Sequence, residues 1–377
     1  MTTALDRPRF PAHSPLRAEL TRRVDEYFAG RGLDPHGGAR MWLKSATLLG
    51  WAVGSYLLLL LWAPAWWAVV PLVVSLGLAM AGIGFAVMHD GGHGSYSSRR
   101  WLNRLAFGTL DLMGGSSYMW HHKHNVLHHS FTNVEGVDDD IDSSPFVRLS
   151  PSQRRRWFHR LQHWYVFPLV GLGFVPKWAL LDDWRSWIRG RCGSRSIPRP
   201  RGLDAAQFVA GKVWHVVWAL AIPLALHPVL PVLLCYFAVG AVMGITLAVV
   251  FQLAHAVEGT VFAPEPRRGE KLELPFFEHQ LATTVDFSPG NRLLTWYVGG
   301  LNYQVEHHLF PRISHLHYPA LAPIVREVCR AHGVPYLCHE TLGAALASHW
   351  SFLQRMGAPV EVEPVVPAPR EVAPLAA

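Results

Sequence analysis

The chain has 377 residues, 50% of them hydrophobic and only 16% charged, with a mean hydropathy of +0.15. Charge this sparse, with the apolar residues gathered into long uncharged runs, argues against a soluble multidomain protein and for an integral-membrane one. The net charge of +7 comes with no nucleic-acid motif, and the basic stretches flank apolar runs, so membrane lipids are the expected partner and nucleic acid is not.

Residues 1–40 read as a cytosolic arm: charged, proline-containing and without the short apolar core of a signal peptide. Within it, 16–29 has the pattern of an amphipathic helix on the membrane surface. Ser45–Trp62 and Trp66–Met88 contain no charge and are separated only by Ala63-Pro64-Ala65, so they form a tight transmembrane hairpin. Trp101–Trp120 carries Arg104 and Asp111, and Trp164–Leu181 is broken by Pro168, Pro176 and Lys177; both read as helices lying in the interface. Gln207–Leu226 and Val229–Ala254 form a second hairpin across His227-Pro228. Each of the four runs approaches the ~20 residues needed to cross the hydrocarbon. The tail from Ala358, rich in Pro, Val and Glu, reads as disordered.

The expected fold is therefore all-α and integral to the membrane. Four transmembrane helices in two hairpins are joined by interfacial helices and topped by a cytosolic helical cap. The membrane domain is expected over 41–345, with a C-terminal end over 346–377. The two tight turns hold no Lys or Arg, whereas Arg154, Arg155 and Arg156 and the series from Arg185 to Arg201 lie in the long connection between hairpins. The positive-inside rule then puts both termini and both large segments in the cytosol, at the inner membrane if the source is bacterial. Cys192, Cys235, Cys329 and Cys338 fit no zinc spacing and are expected to be free thiols.

The 22 histidines are clustered. His89-Asp-Gly-Gly-His93 closes the second run, His124-Asn-Val-Leu-His128-His129 follows the first interfacial segment, Gln304-Val-Glu-His307-His308 lies late in the chain, and His255 closes the fourth run. On a helix, residues i and i+4 share a face, so His89/His93 and His124/His128 each aim two imidazoles at one point, and Gln304 shares the face of His308. An adjacent residue points about 100° away, so a vicinal pair such as His128-His129 serves two points at once. Neutral imidazoles suit Fe, Zn, Cu or Ni. His121 and His122 read as spacers, and His215, His227 and His349 as structural.

HDGGH, HNVLHH and QVEHH, in this order and on one side of two hairpins, resemble the three histidine boxes of the membrane fatty acid desaturase family. The resemblance runs from about 45 to 335. It implies two non-haem iron ions held by His89, His93, His124, His128, His129, His255, His307 and His308, with Gln304 in place of the third box's first histidine. That replacement is similar to front-end desaturases and to bacterial linoleoyl-CoA-type enzymes. Many front-end enzymes carry a fused haem domain marked His-Pro-Gly-Gly; here Pro35-His36-Gly37-Gly38 has the residues in another order and the arm is too short. The resemblance then implies electrons from an external donor, a ferredoxin or a free b-type cytochrome with its reductase. It implies dioxygen as co-substrate and an acyl-CoA or acyl-lipid chain as the substrate that receives a cis double bond.

An unactivated methylene has no acidic proton and no leaving group, so a cofactor must supply the hard step while the protein positions the chain. Asp90, Glu258 and Glu306 stand beside expected ligands and could orient their rings, with Asn125 and Gln252 as further supports. The acidic run Asp138 to Asp142 reads as orienting, as a dock for a basic redox partner, or as a solvated face. Competing readings are a sister di-iron hydroxylase or ketolase acting on alkanes, sterols or carotenoids, a metal-ion transporter, and a bis-histidine haem carrier. A transporter would place its ionisable ligands near the midplane, and these sit at one face.

Overall fold

The computed structural model describes residues 8–12, 14–63, 65–142, 145–174, 181–267 and 270–359. Pro64, Pro176, Lys177 and the tail from 360 lie outside them. Four helices are long and apolar enough to span a bilayer: Gly38–Leu61, Trp66–His93, Leu203–Leu226 and Val229–His255. The two hairpins are as expected, with moved boundaries. The first span starts at Gly38 rather than Ser45. Its cationic turn is accommodated because Lys44 is buried with its Nζ 2.8 Å from His315 Nε2, and His315 Nδ1 in turn lies 2.9 Å from Asp90 Oδ2. The second span continues through a π-helical turn, Ile83–Met88, and includes the whole of HDGGH before Gly94, in the left-handed region, stops it.

The second span packs against the first and the fourth. A Cβ on Gly77 would stand 2.7 Å from Val242 Cβ, so a missing side chain sets the approach of the second span to the fourth. The segment expected at the interface over 101–120 is two helices, Arg100–Leu112 and Ser117–Trp120. Gln162–Phe174 packs along the fourth span.

The cap departs from expectation at both ends of the chain. Pro15–Arg31 buries Leu16, Leu20 and Val24 within the protein rather than laying them on lipid; the helix packs against Tyr318–Ala331, and Leu16 and Leu20 share a core with Val325 and Val328. Leu342–Gly357 is one helix that buries Phe352, Leu353 and Met356 against Trp157–Leu161 and Gln162–Phe174. The expected boundary at 345/346 therefore falls inside a packed helix. All four cysteines are free.

The glycines of HDGGH are structural requirements. A Cβ on Gly91 would lie 2.6 Å from the backbone nitrogen of Phe107 and 2.9 Å from the carbonyl of Asn103; one on Gly92 would meet the Trp120 ring at 2.7 Å. Because Gly91 faces backbone and the fixed methyl of Ala106 at 2.8 Å, Gly91→Ala has no flexible side chain to push aside. We expect it to destabilise the protein by ~1–3 kcal/mol, the usual cost of overpacking, read as a lowered melting temperature in detergent. An unchanged melting temperature would show that Arg100–Leu112 can retreat.

Candidate metal centre

Four elements deliver histidines to one buried volume: the ends of the second and fourth spans, the π-helical segment His121–His128 with its capping residue His129, and the short helix Gln304–Leu309. His89, His93, His124, His129 and His307 form one group, and His128, His255 and His308 another, with the ligand atoms inside each group within 4.8 Å of one another. That spacing approaches the ~4 Å that separates opposite ligands around one ion at usual metal–nitrogen distances. The vicinal pairs split: His128 and His129 belong to different groups, as do His307 and His308.

The second box differs from a simple i, i+4 reading. His124 shares the larger group with His129, five residues on, whereas His128 faces the smaller one. The reason is local: the backbone bond from His129 N to His124 O is the i→i+5 bond of a π-helix, which widens the turn and brings the fifth residue onto the face. His124 and His128 still converge, with Asp140, in a third possible ligand set.

The ring nitrogens separate into held and open ones. His128 Nδ1 lies 2.9 Å from Asp138 Oδ2, His308 Nδ1 2.8 Å from Gln280 Oε1, His307 Nδ1 3.2 Å from the Tyr318 hydroxyl, and His255 Nδ1 3.2 Å from the Thr283 carbonyl. The opposite nitrogen of each, Nε2, is buried without a hydrogen-bond partner, as are His93 Nε2 and His129 Nδ1. An unsatisfied buried polar atom costs ~1–3 kcal/mol, so these six together cost on the order of 10 kcal/mol, comparable to the whole net stability of a domain. A ligand that accepts lone pairs relieves that cost. One ring nitrogen fixed by an outer partner and the other open is the pattern of metal-ligating histidine. The residues thus fit a pair of metal ions.

Burial holds His124, His129, His307 and His308 neutral, with pKa values well below that of free imidazole. Neutral rings are ready to bind metal. Unfolded histidines titrate near 6.5, and the buried ones only at lower pH, so the unfolded chain binds more protons as pH falls through 6.5. The chelated, metal-free protein is therefore expected to lose stability as pH drops from about 7 to about 5. A melting temperature that is flat or rising over that range would contradict it.

The remaining expected residues are distributed as follows. Gln304 is buried, with Oε1 unpartnered, and lines a cavity that His89, His124, His255 and His307 also line. Gln252 is buried on the same wall with its Oε1 also unpartnered. Asn125 Nδ2 donates to the Gly92 carbonyl at 2.7 Å and so ties the second box to the first. Asp90 accepts from Ser314 and His315, not from a box histidine, because its side chain turns toward the cap. Glu258 faces outward to Arg355 at 3.1 Å. Glu306 turns away from the metal groups to Tyr336, whose hydroxyl also meets Asp286. Burial, with Asp286 beside it, pushes Glu306 well above the usual carboxylate range. Of the acidic run, Asp138 orients His128, while Asp139 and Asp140 pair with Lys123 at 3.1 Å each. His121 is bonded to Asn125, and His122 meets the Tyr118 ring edge-on.

Gln280, Tyr318 and Asp286 were not singled out from the sequence. Gln280 lies on Phe276–Thr283, a helix in a stretch with no repeating pattern, and no signal in the chain pairs it with His308.

A cavity of about 1120 Å³ runs from these histidines into the membrane domain. His89, His124, His255 and His307 stand in its wall, Met80, Gly84 and Leu247 continue it between the second and fourth spans, and Lys123, Asp140, Arg185 and Arg189 rim its mouth.

The chain is thus a four-span membrane helical protein with two buried histidine groups, each able to hold a metal ion, at one end of a cavity that runs between its spans. The model of the "Fatty acid desaturase" family matches residues 64–339, and the chain belongs to that family. It is 37% identical over 358 residues to the sn-1 linoleoyl-lipid 6-desaturase of Arthrospira platensis, covering 94% of this chain and 96% of that one. It is 35% identical to the enzyme of the same name from Synechocystis sp., covering 95% and 99%. It is 36% identical to an acyl-lipid (8-3)-desaturase of Physcomitrium patens, covering 90% of this chain and 71% of the relative. The chain is accordingly an oxidoreductase, a fatty acyl desaturase.

Proposed function

We propose that this desaturase acts on a lipid-bound acyl chain, introducing a cis double bond with two iron ions held by His89, His93, His124, His129 and His307 on one side and His128, His255 and His308 on the other. The carrying observation is the apolar cavity that ends among buried imidazoles whose open nitrogens converge in two groups. When bound, the irons supply the dioxygen and two-electron chemistry that removes hydrogens from an unactivated chain. The protein's residues do the rest. Asp138, Gln280, Tyr318 and the Thr283 carbonyl hold the ring tautomers, and Gln304 offers an unpartnered amide oxygen in the cavity wall. The cavity wall excludes water and confines one stretch of chain against the site.

Two observations support a lipid rather than a coenzyme A carrier. The relatives above are named for lipid substrates. The cavity lining also mixes carboxylates with cations: Asp139 and Asp140 pair with Lys123, and Asp142 and Asp182 line the same cavity as Arg185 and Arg189. A polyanionic carrier would meet repulsion as well as attraction there, whereas an uncharged or zwitterionic headgroup would not. Arg-rich segments near the mouth favour a cytosolic active site, with electrons from a separate donor, a ferredoxin or a free b-type cytochrome. The test is to express the chain with a competent ferredoxin system in a host lacking polyunsaturated lipids and to locate new double bonds by mass spectrometry. A new bond in lipid-bound chains supports the proposal; hydroxylated products instead would overturn it in favour of the sister hydroxylases.

A further inference from the structure

A second cavity, of about 290 Å³, lies deeper in the membrane domain. Three methionines, Met80, Met113 and Met243, stand in the walls of both cavities and form the partition between them. Each is buried. From this collar the second cavity follows the same two spans away from the histidines, past Leu76 and Val69 on one and Val239, Tyr236 and Val232 on the other. The third span closes it with His215, Trp218 and Ala219. Its polar members are few and mostly paired: His215 Nε2 lies 2.9 Å from the Tyr236 hydroxyl, and His227 Nε2 lies 2.7 Å from the Leu60 carbonyl, while His215 Nδ1 has no partner. The rest of the wall is mainly hydrocarbon.

We infer that this second chamber receives the methyl-terminal part of the acyl chain, and that the Met80–Met113–Met243 collar is the gate an acyl chain must pass when its new double bond lies far from its methyl end. The inference rests on the desaturase reading above and adds to it which chains fit. Met80 precedes His89 by nine residues, about 13 Å of helix. A fully extended peptide spans about 3.3–3.6 Å per three backbone bonds, so an extended chain advances ~1.2 Å per bond. The collar then lies roughly ten carbons beyond the reacting position. A cavity of about 150 Å³ holds a six-carbon ring, so the chamber has room for roughly ten carbons more. An enzyme reacting near the middle of a common acyl chain would never fill it. An enzyme reacting toward the carboxyl end of a long chain would. Methionine suits the gate because it is unbranched, soft and able to swing between rotamers.

The test fills the chamber from two walls, with Cys235→Trp on the fourth span and Ala219→Leu on the third, in the full-length, metal-loaded protein. Variants are compared only where their ligand-free melting temperature matches the wild type; the smaller Ala219→Leu guards against misfolding of the larger change. Stabilisation by myristic, stearic and behenic acids is measured alongside double-bond formation from lipids carrying the same chains. In the wild type, stabilisation is expected to grow along the series. In the variants, the gain from stearic and behenic acids collapses to that from myristic acid, turnover of the two longer chains falls at least tenfold, and the myristic response is unchanged. Equal loss at every length, or no loss at any, overturns the chamber. Length-dependent stabilisation with no new double bond from any chain would leave the chamber standing and sink the desaturase reading. New double bonds formed at wild-type rates for every length in both variants would do the reverse.

Discussion

A His308→Ala protein is expected to form no detectable new double bond and to lose most of the metal from the smaller group. His308 is one of only three histidines in that group, against five in the other. Its open nitrogen is buried and faces His128 and His255, and its other nitrogen is held at 2.8 Å by Gln280. Removing it leaves two imidazoles, too few to retain an ion against buffer and chelator. Loss of an outer partner alone commonly costs 10–100-fold, so loss of the ligand itself should exceed about 100-fold in activity. The metal-to-protein ratio should fall by about half, because the larger group keeps all of its members. The checks are metal content by mass spectrometry and product analysis on cells fed saturated and monounsaturated acids. Full metal content with no activity would assign His308 a different role, and retained activity would remove it from the centre.

The second large effect is expected at Asp138, where the change is one atom. Its Oδ2 accepts from His128 Nδ1 at 2.9 Å and from the backbone N–H of Asn133 at 2.9 Å, and Oδ1 accepts from Asp140 N at 3.0 Å. The carboxylate thus fixes the histidine tautomer and the turn that carries it. In Asp138→Asn the amide NH2 faces either Asp140 N or both His128 Nδ1 and Asn133 N, and in either orientation the negative charge that strengthens the bond to His128 is lost. Metal affinity of the smaller group is expected to fall 10–100-fold, read as the chelator concentration that removes half its metal. Asp138→Glu, which keeps the charge but moves it, should fall between the two. If Asp138→Asn binds metal as tightly as the wild type, the His128–Asp138 contact is a bystander.

The parts of this protein that obey periodic rules were legible in its sequence. Uncharged runs near the length of a bilayer gave the two hairpins, and the box spacings brought His89 and His93 to one place. The second box was legible as a cluster but not in its pairing. Nothing in HNVLHH announces a π-helical turn, and that turn adds His129 to the company of His124, while His128 also faces the smaller group. The outer partners were legible only where they are neighbours in sequence: Asp138 is ten residues from His128. Gln280 and Tyr336 reach His308 and Glu306 by folding from separate segments, and no local pattern carries such a pairing. Nearness in sequence also misled, since Asp90 and Glu258 stand beside box residues yet turn to His315 and Arg355. The N-terminal helix was found in place but assigned to lipid, because an apolar stripe does not say whether protein or membrane will cover it.

The division of His307 and His308 between the two groups has a consequence for biosynthesis. Both groups draw a member from the last box, so neither is complete until the ribosome has passed residue 308. By then all four spans have been made. The earlier boxes wait as incomplete nests, and a prematurely terminated chain carries two unfinished ones rather than one working half. On the proposed ligand sets, neither site can fill before the last box is made, and the vicinal pair acts as a clasp that closes both.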